Sequence, residues 1–363
     1  MEFYMPTKVY HEKDAVLNHA SEIAAIGKKA LIVTGKSSSK KNGSLADVKK
    51  ALEENGTEYI VFNEIEENPS IATVMKAAEI GRSQGTDFVI GVGGGSPMDA
   101  SKAIALMIYN RDSSEEVLYQ KIDLKALPVV EVPTTCGTGS EVTPYAILTR
   151  DDKKTKQSIS HKIYPVIACV DAKYLMNAPK SVIVNTAIDA LGHFIESYFN
   201  KRATDYSCML CQYGMSVWAE NLDVLLGEDI TEERCNSLLL ASTLAGMAIT
   251  HTGTSIPHGM SYYLTYNMNI PHGKAVGMFL PGYLKLMSKQ FEDEVAMILE
   301  GLGFANIEQF AFFIKQCMEV CELSKTDKQN ILNEIMENPG KMASIPFEVS
   351  ESDVREVVEF MGK

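Results

Sequence analysis

The stretch DFVIGVGGGSPMDASKAIALM, residues 87–107, decides the fold. Its first half is apolar without alternation, the pattern of a strand covered on both faces. Three glycines leave that strand, and Pro97 opens a helix. At such a junction, backbone N–H groups unblocked by side chains meet the positive end of a helix dipole, which suits a phosphate. The run is not the G-x-G-x-x-G fingerprint, so a glycine-rich strand end without a ligand stands as the other reading.

On the N-terminal side the same alternation continues. An amphipathic run covers 15–25, ALIVTG (30–35) and EYIVFN (58–63) read as strands, and 45–54 and 71–82 read as helices. On the C-terminal side LPVVEVPTTCGTGSEVTPYAILT (127–149) passes from a buried strand into a polar loop with Thr134, Thr135, Thr138, Ser140 and Thr143. Hydroxyls at the carboxyl end of a strand lie where open α/β sheets bind ligands, although for this stretch alone local hydroxyl-to-backbone turns are the better explanation. The β-α-β order predicts an α/β domain with an open, doubly wound parallel sheet. Beyond residue 180 the strand signal is gone. Helices are expected over 181–200, 204–226, 232–250, 305–322, 327–337 and 351–361, with a further pair entering at two Pro-His-Gly units. The boundary falls in AKYLMNAPKS (172–181), giving domains 1–178 and 179–363, the second all-α.

The helical half carries a second signal. Asp189 and His193 stand four apart in a helical run and share one face. His258 and His272 follow, each between Pro and Gly, in SIPHGMSYYLTYNMNIPHGKAVG. An isolated Asp-x-x-x-His is usually a hydrogen-bonded pair, but one carboxylate with three imidazoles makes an O/N set suited to divalent iron or zinc, with positions open for a substrate oxygen.

Composition excludes other classes. A chain of 363 residues, 45% hydrophobic, is sized for two domains. Its net charge of −13, with no basic stripe, argues against nucleic acid and anionic membrane partners. Seven scattered cysteines form no disulfide framework, and Cys208 and Cys211 read as buried core. With no secretory leader pattern in MEFYMPTKVYHEKD and no long apolar span, a cytoplasmic location is expected.

GGGSPMDASKA, then VPTTCGTGSEVT, then Asp189, His193, His258 and His272 in Pro-His-Gly contexts resemble, in order and spacing, the iron-containing (group III) alcohol dehydrogenase family. The resemblance spans essentially the whole chain. It implies a dehydroquinate synthase-like fold with a dinucleotide-binding domain, a helical metal- and substrate-binding domain, a nicotinamide cofactor and one divalent ion, Fe2+ before Zn2+. It also implies that Gly94, Gly95 and Ser96 hold the pyrophosphate and that Asp99 lies near the nicotinamide end. Thr134, Thr135, Thr138 and Thr143 then line the cofactor, which Lys156 approaches. Family members often carry a further histidine where this chain has Tyr262, which reads as an aromatic wall of the pocket, since its ordinary pKa suits it poorly to relay a proton. NAD-preferring relatives carry Asp where this chain has Gly35. Gly35, followed by Lys36, Ser37, Ser38, Ser39, Lys40 and Lys41, supplies no carboxylate and adds donors for a 2′-phosphate, so NADP is expected before NAD.

The activity so implied is reversible hydride transfer between NADP(H) and a small primary alcohol or aldehyde, with Tyr262, Tyr263 and Phe194 lining the pocket and a homodimer or higher homo-oligomer as the assembly. A dehydroquinate synthase-like lyase has the same parts, but a phosphorylated substrate wants basic residues, and 182–200 and 251–273 contain neither Lys nor Arg. A glycerol or diol dehydrogenase using NAD is a further alternative. A non-catalytic metal-binding protein has no use for the glycine and threonine stretches.

Overall fold

The computed structural model describes residues 1–362. They form two compact units, one of residues 5–178 with 231–239, the other of residues 1–4, 179–230 and 240 onward. In the first unit lies a sheet of six parallel strands in the order β1-β8-β5-β4-β2-β3. They are β1 (Lys8–His11), β2 (Lys29–Gly35), β3 (Glu58–Ile65), β4 (Phe88–Gly93), β5 (Val129–Pro133) and β8 (Ile167–Val170); β6 (Ile147–Arg150) and β7 (Thr155–Ser158) form a separate antiparallel pair. The unbroken apolar runs have the predicted cause. Leu31 and Val33 of β2 face one buried cluster with Val74, Ala103 and Ile104, while Ala30 and Ile32 face the opposite one with Val16, Val48 and Leu52.

Three helices keep their predicted places: Ser44–Glu54, Ile71–Gln84 and Gly95–Tyr109. The amphipathic run near the start instead breaks at His19 into Ala15–Asn18 and Ala20–Ala24. Strands β1 and β8 were not foreseen. Four residues each, with β1 only part-buried at the sheet edge, they are too short to establish a period.

The second unit is helical among its described residues. Lys180–Tyr198, Asp205–Ala219, Ile256–Met268, His272–Gly277 and Leu280–Met287 are among its helices. The expected helix over 204–226 is interrupted, resuming as Leu222–Leu226, and Glu292–Gly301 is an additional helix. Phe194 of the 180–198 helix is fully buried and seats its ring on Gly214 of the 205–219 helix, so it belongs to the core rather than to a pocket wall. No helix of the described residues is long and apolar enough to cross a membrane.

The glycines at these contacts differ in what they permit. A Cβ at Gly214 overlaps the Phe194 ring, whereas one at Gly301, the last residue of its helix, meets nothing within 4 Å. Gly214→Ala is expected to cost about 1–3 kcal/mol by overpacking, and Gly301→Ala to be neutral or to stabilise by up to about 1 kcal/mol through the entropy of the unfolded chain. Urea denaturation of the two variants checks this; equal midpoints contradict the packing described.

Candidate functional site

In the sheet unit, three sequence-predicted stretches leave the carboxyl ends of three adjacent strands. Gly35 ends β2, Gly94 follows β4, and Thr134 follows β5. The strand order reverses between β2 and β4, the kind of switch point at which open α/β sheets take ligands. The helix after β4 begins at Gly95, two residues before Pro97, with Gly94 as an extended N-cap and no side-chain cap. Pro97 therefore sits inside the first turn, where its missing N–H costs no hydrogen bond.

The glycines here also serve the neighbouring loop. A Cβ on Gly95 would lie 2.6 Å from the Thr138 methyl, and one on Gly94 3.1 Å from that of Thr135. Thr134 and Thr143 are buried, and the Thr134 N–H donates to the Gly93 carbonyl at 2.9 Å. Ser96 Oγ accepts from the Asn68 N–H at 3.2 Å.

Asp99 is held within the chain, accepting from Ser140 Oγ at 2.6 Å and from the Ile147 N–H at 2.9 Å. One turn on, the buried Lys102 donates to the Ser140 carbonyl (2.6 Å), Ser140 Oγ (2.7 Å) and the Tyr145 carbonyl (3.0 Å). Burial pushes both groups toward their neutral forms, Asp99 up and Lys102 down, against their mutual attraction. Lys102 has no local sequence signal beyond its spacing of three from Asp99. Lys156 is half-buried on β7, paired with Thr149.

At the end of β2, Lys36, Ser37, Ser38, Lys40 and Lys41 are exposed. Ser39 differs, being buried with its hydroxyl 2.5 Å from Thr34 Oγ1. A side chain at Gly35 would meet only the Ile65 carbonyl, at 3.6 Å.

The helical unit brings the other predicted residues together. Asp189, His258 and His272 each place one ligand-type atom within 4.8 Å of the others. His258 Nε2 and His272 Nε2 lie 3.4 and 3.6 Å from Asp189 Oδ1. His193 stands beside this group, its ring stacked on His258 with centroids 4.5 Å apart. The Ser261 hydroxyl lies 3.4 Å from His272 Nδ1.

Glu196, which belongs to none of the sequence motifs, is fully buried and bonds both His258 Nδ1 and the Ser255 N–H. Its signal is helical spacing: 189, 193 and 196 follow the four-and-three spacing of one helix face. A carboxylate on one imidazole nitrogen fixes the orientation of the other, the usual arrangement behind a metal-ligating histidine.

Burial opposes charge on both Asp189 and His258, yet each keeps it. His193 and His272, followed by His258, hold Asp189 well below the ordinary carboxylate range. Glu196, then Asp189, raise His258 to about 9. A buried place that favours positive charge this strongly, and in which Asp189 Oδ1 and His258 Nε2 have no hydrogen-bond partner, has the donor chemistry to fit a divalent cation.

Around this cluster the two neighbouring tyrosines diverge. The Tyr262 ring lies 6.1 Å from that of His272, stacked on it. Tyr263 instead turns its hydroxyl to Asp327 and Asn330. The expected absence of basic residues holds only within 182–200 and 251–273, because the fold brings Lys341 to Tyr262, its ammonium 5.9 Å from the ring centroid.

The Pro-His-Gly glycines have a packing role. A Cβ at Gly273 overlaps the Asn185 carbonyl oxygen, and one at Gly259 overlaps Ile335. Gly273→Ala is expected to push the 272–277 helix off the 180–198 helix at a cost of about 1–3 kcal/mol. An unchanged denaturation midpoint contradicts that contact.

The chain is similar to known proteins in both of its halves. Residues 6–172 match the model of the family described as iron-containing alcohol dehydrogenase, and 183–342 match that of its C-terminal region. The iron-containing alcohol dehydrogenase of Thermotoga maritima is 37% identical, with a TM-score of 0.92 over 99% of each chain. A long-chain primary alcohol dehydrogenase of Thermoanaerobacter ethanolicus is 27% identical over 351 residues, 91% of this chain and 88% of its own length. The bifunctional aldehyde-alcohol dehydrogenase of Escherichia coli K12 is 31% identical over 295 residues, 76% of this chain but 32% of that much longer protein. With both halves matched and the fold shared over its full length, the chain belongs to the iron-containing alcohol dehydrogenase family.

Proposed function

We propose that the chain is a metal-dependent alcohol dehydrogenase or aldehyde reductase moving a hydride between NADP(H) and a short primary alcohol or aldehyde. Asp189, His193, His258 and His272 hold Fe2+, which the family favours over the Zn2+ that the same donor set admits. One observation carries the reading: two buried ligand atoms, Asp189 Oδ1 and His258 Nε2, lie 3.4 Å apart, with His272 Nε2 3.6 Å from the same oxygen.

A divalent ion bound there supplies Lewis acidity to the substrate oxygen. The chain supplies the rest of the site. Asp189 contributes the negative charge, Glu196 orients His258, and Ser261 steadies His272. Tyr262 walls the pocket. The dinucleotide supplies the hydride-accepting ring, held by its pyrophosphate at the uncapped helix start of Gly94, Gly95 and Ser96 and lined by Thr134, Thr135, Thr138 and Thr143. Asp99 and Lys102 act indirectly, by fixing the loop that carries Thr138 and Ser140.

NADP(H) is preferred because Gly35 presents no carboxylate to a 2′-phosphate, while Lys36, Ser37, Ser38, Lys40 and Lys41 stand exposed beside it. Ser39 takes no part, since its hydroxyl bonds Thr34. Seven free cysteines support a reducing, cytoplasmic setting. Tyr206, Met209 and Tyr213 lie exposed along one helix face and support a homodimer or higher homo-oligomer.

His272→Ala is expected to lower bound metal and turnover together while the fold survives, measured by metal analysis and dinucleotide absorbance on the same sample. Full occupancy and rate in that variant sink the metal assignment. For the cofactor, the native protein should show higher kcat/KM with NADPH than with NADH. Gly35→Asp, which has room for the side chain, should shift the ratio toward NADH by roughly tenfold or more, the scale of one charged hydrogen bond. A native preference for NADH, or an unmoved ratio, removes this reading.

A further inference from the structure

We propose that Lys341 receives an anionic group carried on the substrate, so that the site selects short aldehydes and alcohols bearing a carboxylate or similar anion at the far end. This specificity rests on the dehydrogenase reading and deepens it.

The placement comes from the 256–268 helix. His258, Gly259 and Tyr262 lie along one side of it. The Lys341 stem crosses at Gly259, where a Cβ would come within 3.2 Å of Lys341 Cγ. From there its ammonium donates to Thr254 Oγ1 and lies 5.9 Å from the centre of the Tyr262 ring, which in turn lies 6.1 Å from that of His272. The Tyr262 ring thus neighbours both the cation and His272 of the proposed ligand cluster, and a short carbon chain laid along that ring would reach from one toward the other.

Lys341 is part-buried and its ammonium is not ion-paired. Among the described residues, no carboxylate lies within ion-pair distance of its ammonium. Glu196, which acts on it, is already engaged by His258 and Ser255, and Arg202, held by the Thr252 carbonyl, adds a second positive charge. Burial lowers Lys341 to about 8, with Glu196 opposing and Arg202 assisting. A part-buried lysine whose ammonium is not ion-paired and has donors to spare is a ready partner for a carboxylate. The competing role is purely structural, with the ammonium resting on the Tyr262 face.

The experiment compares kcat/KM for 4-oxobutanoate and pentanal, of similar length and differing in the terminal anion, in the metal-loaded native enzyme, Lys341→Met and Lys341→Arg. The native ratio should favour 4-oxobutanoate, Lys341→Met should reduce that ratio roughly tenfold to a hundredfold, mainly through KM, and Lys341→Arg should retain a preference. A native ratio favouring pentanal, or one unmoved in Lys341→Met, overturns the proposal. Calorimetric binding of 4-hydroxybutanoate against 1-pentanol to the same proteins reads the contact without turnover. If neither aldehyde is reduced, the dehydrogenase reading fails, and the calorimetry still decides on Lys341: weaker 4-hydroxybutanoate binding in Lys341→Met supports the contact, and equal binding overturns it.

Discussion

Two carboxylates buried on either side of one imidazole are the constraint on which the helical unit depends. Asp189 and Glu196 lie two turns apart on one helix, and His258 sits between them, bonded to Glu196 through Nδ1 and facing Asp189 with Nε2. Removing two carboxylates from water is costly unless positive charge goes with them. The surrounding sequence meets that demand. Glycines at 259 and 273 let neighbouring elements approach closely enough to place His258 and His272, and Ser255 donates the N–H that occupies the second Glu196 oxygen.

The sheet unit meets a different requirement, the exposure of backbone donors at a helix start without loss of a packed loop beside it. Gly94 and Gly95 satisfy both, since a side chain at either position would press on Thr135 or Thr138. The Lys102 ammonium donates to three oxygens of the Ser140–Tyr145 segment, and Asp99 accepts from the Ser140 hydroxyl and from the Ile147 N–H at the start of β6. A buried lysine whose donors are all accepted by one loop fixes that loop more firmly than the loop's own short-range bonds do. The loop hydroxyls are thereby positioned before any ligand arrives, which reduces the ordering cost of binding.

Periodicity made much of this legible. Strands β2, β4 and β5 are buried on both faces and show it as unbroken apolar runs, and the 180–198 helix announces Asp189 and His193 on one side. Strands β1 and β8 were hidden because four residues cannot carry a pattern, and the β6–β7 hairpin because all its residues but Leu148 are only part-buried. Glu196 was readable from helical spacing. Lys341 was not, because nothing in NPGKMAS marks a lysine that the fold returns to Tyr262, 79 positions away in the chain. Phe194 misled for a related reason: adjacency to His193 in sequence turns it about 100° around the helix axis, against Gly214.

The central claim is that Asp189, His193, His258 and His272 converge on one divalent ion. Anomalous diffraction from crystals grown with Fe2+ or Zn2+ tests it most directly. A single strong peak about 2.0–2.2 Å from Asp189 Oδ1 and from one nitrogen of each histidine is the predicted result. A peak at any other group of side chains, or none at these four under saturating metal, contradicts the account.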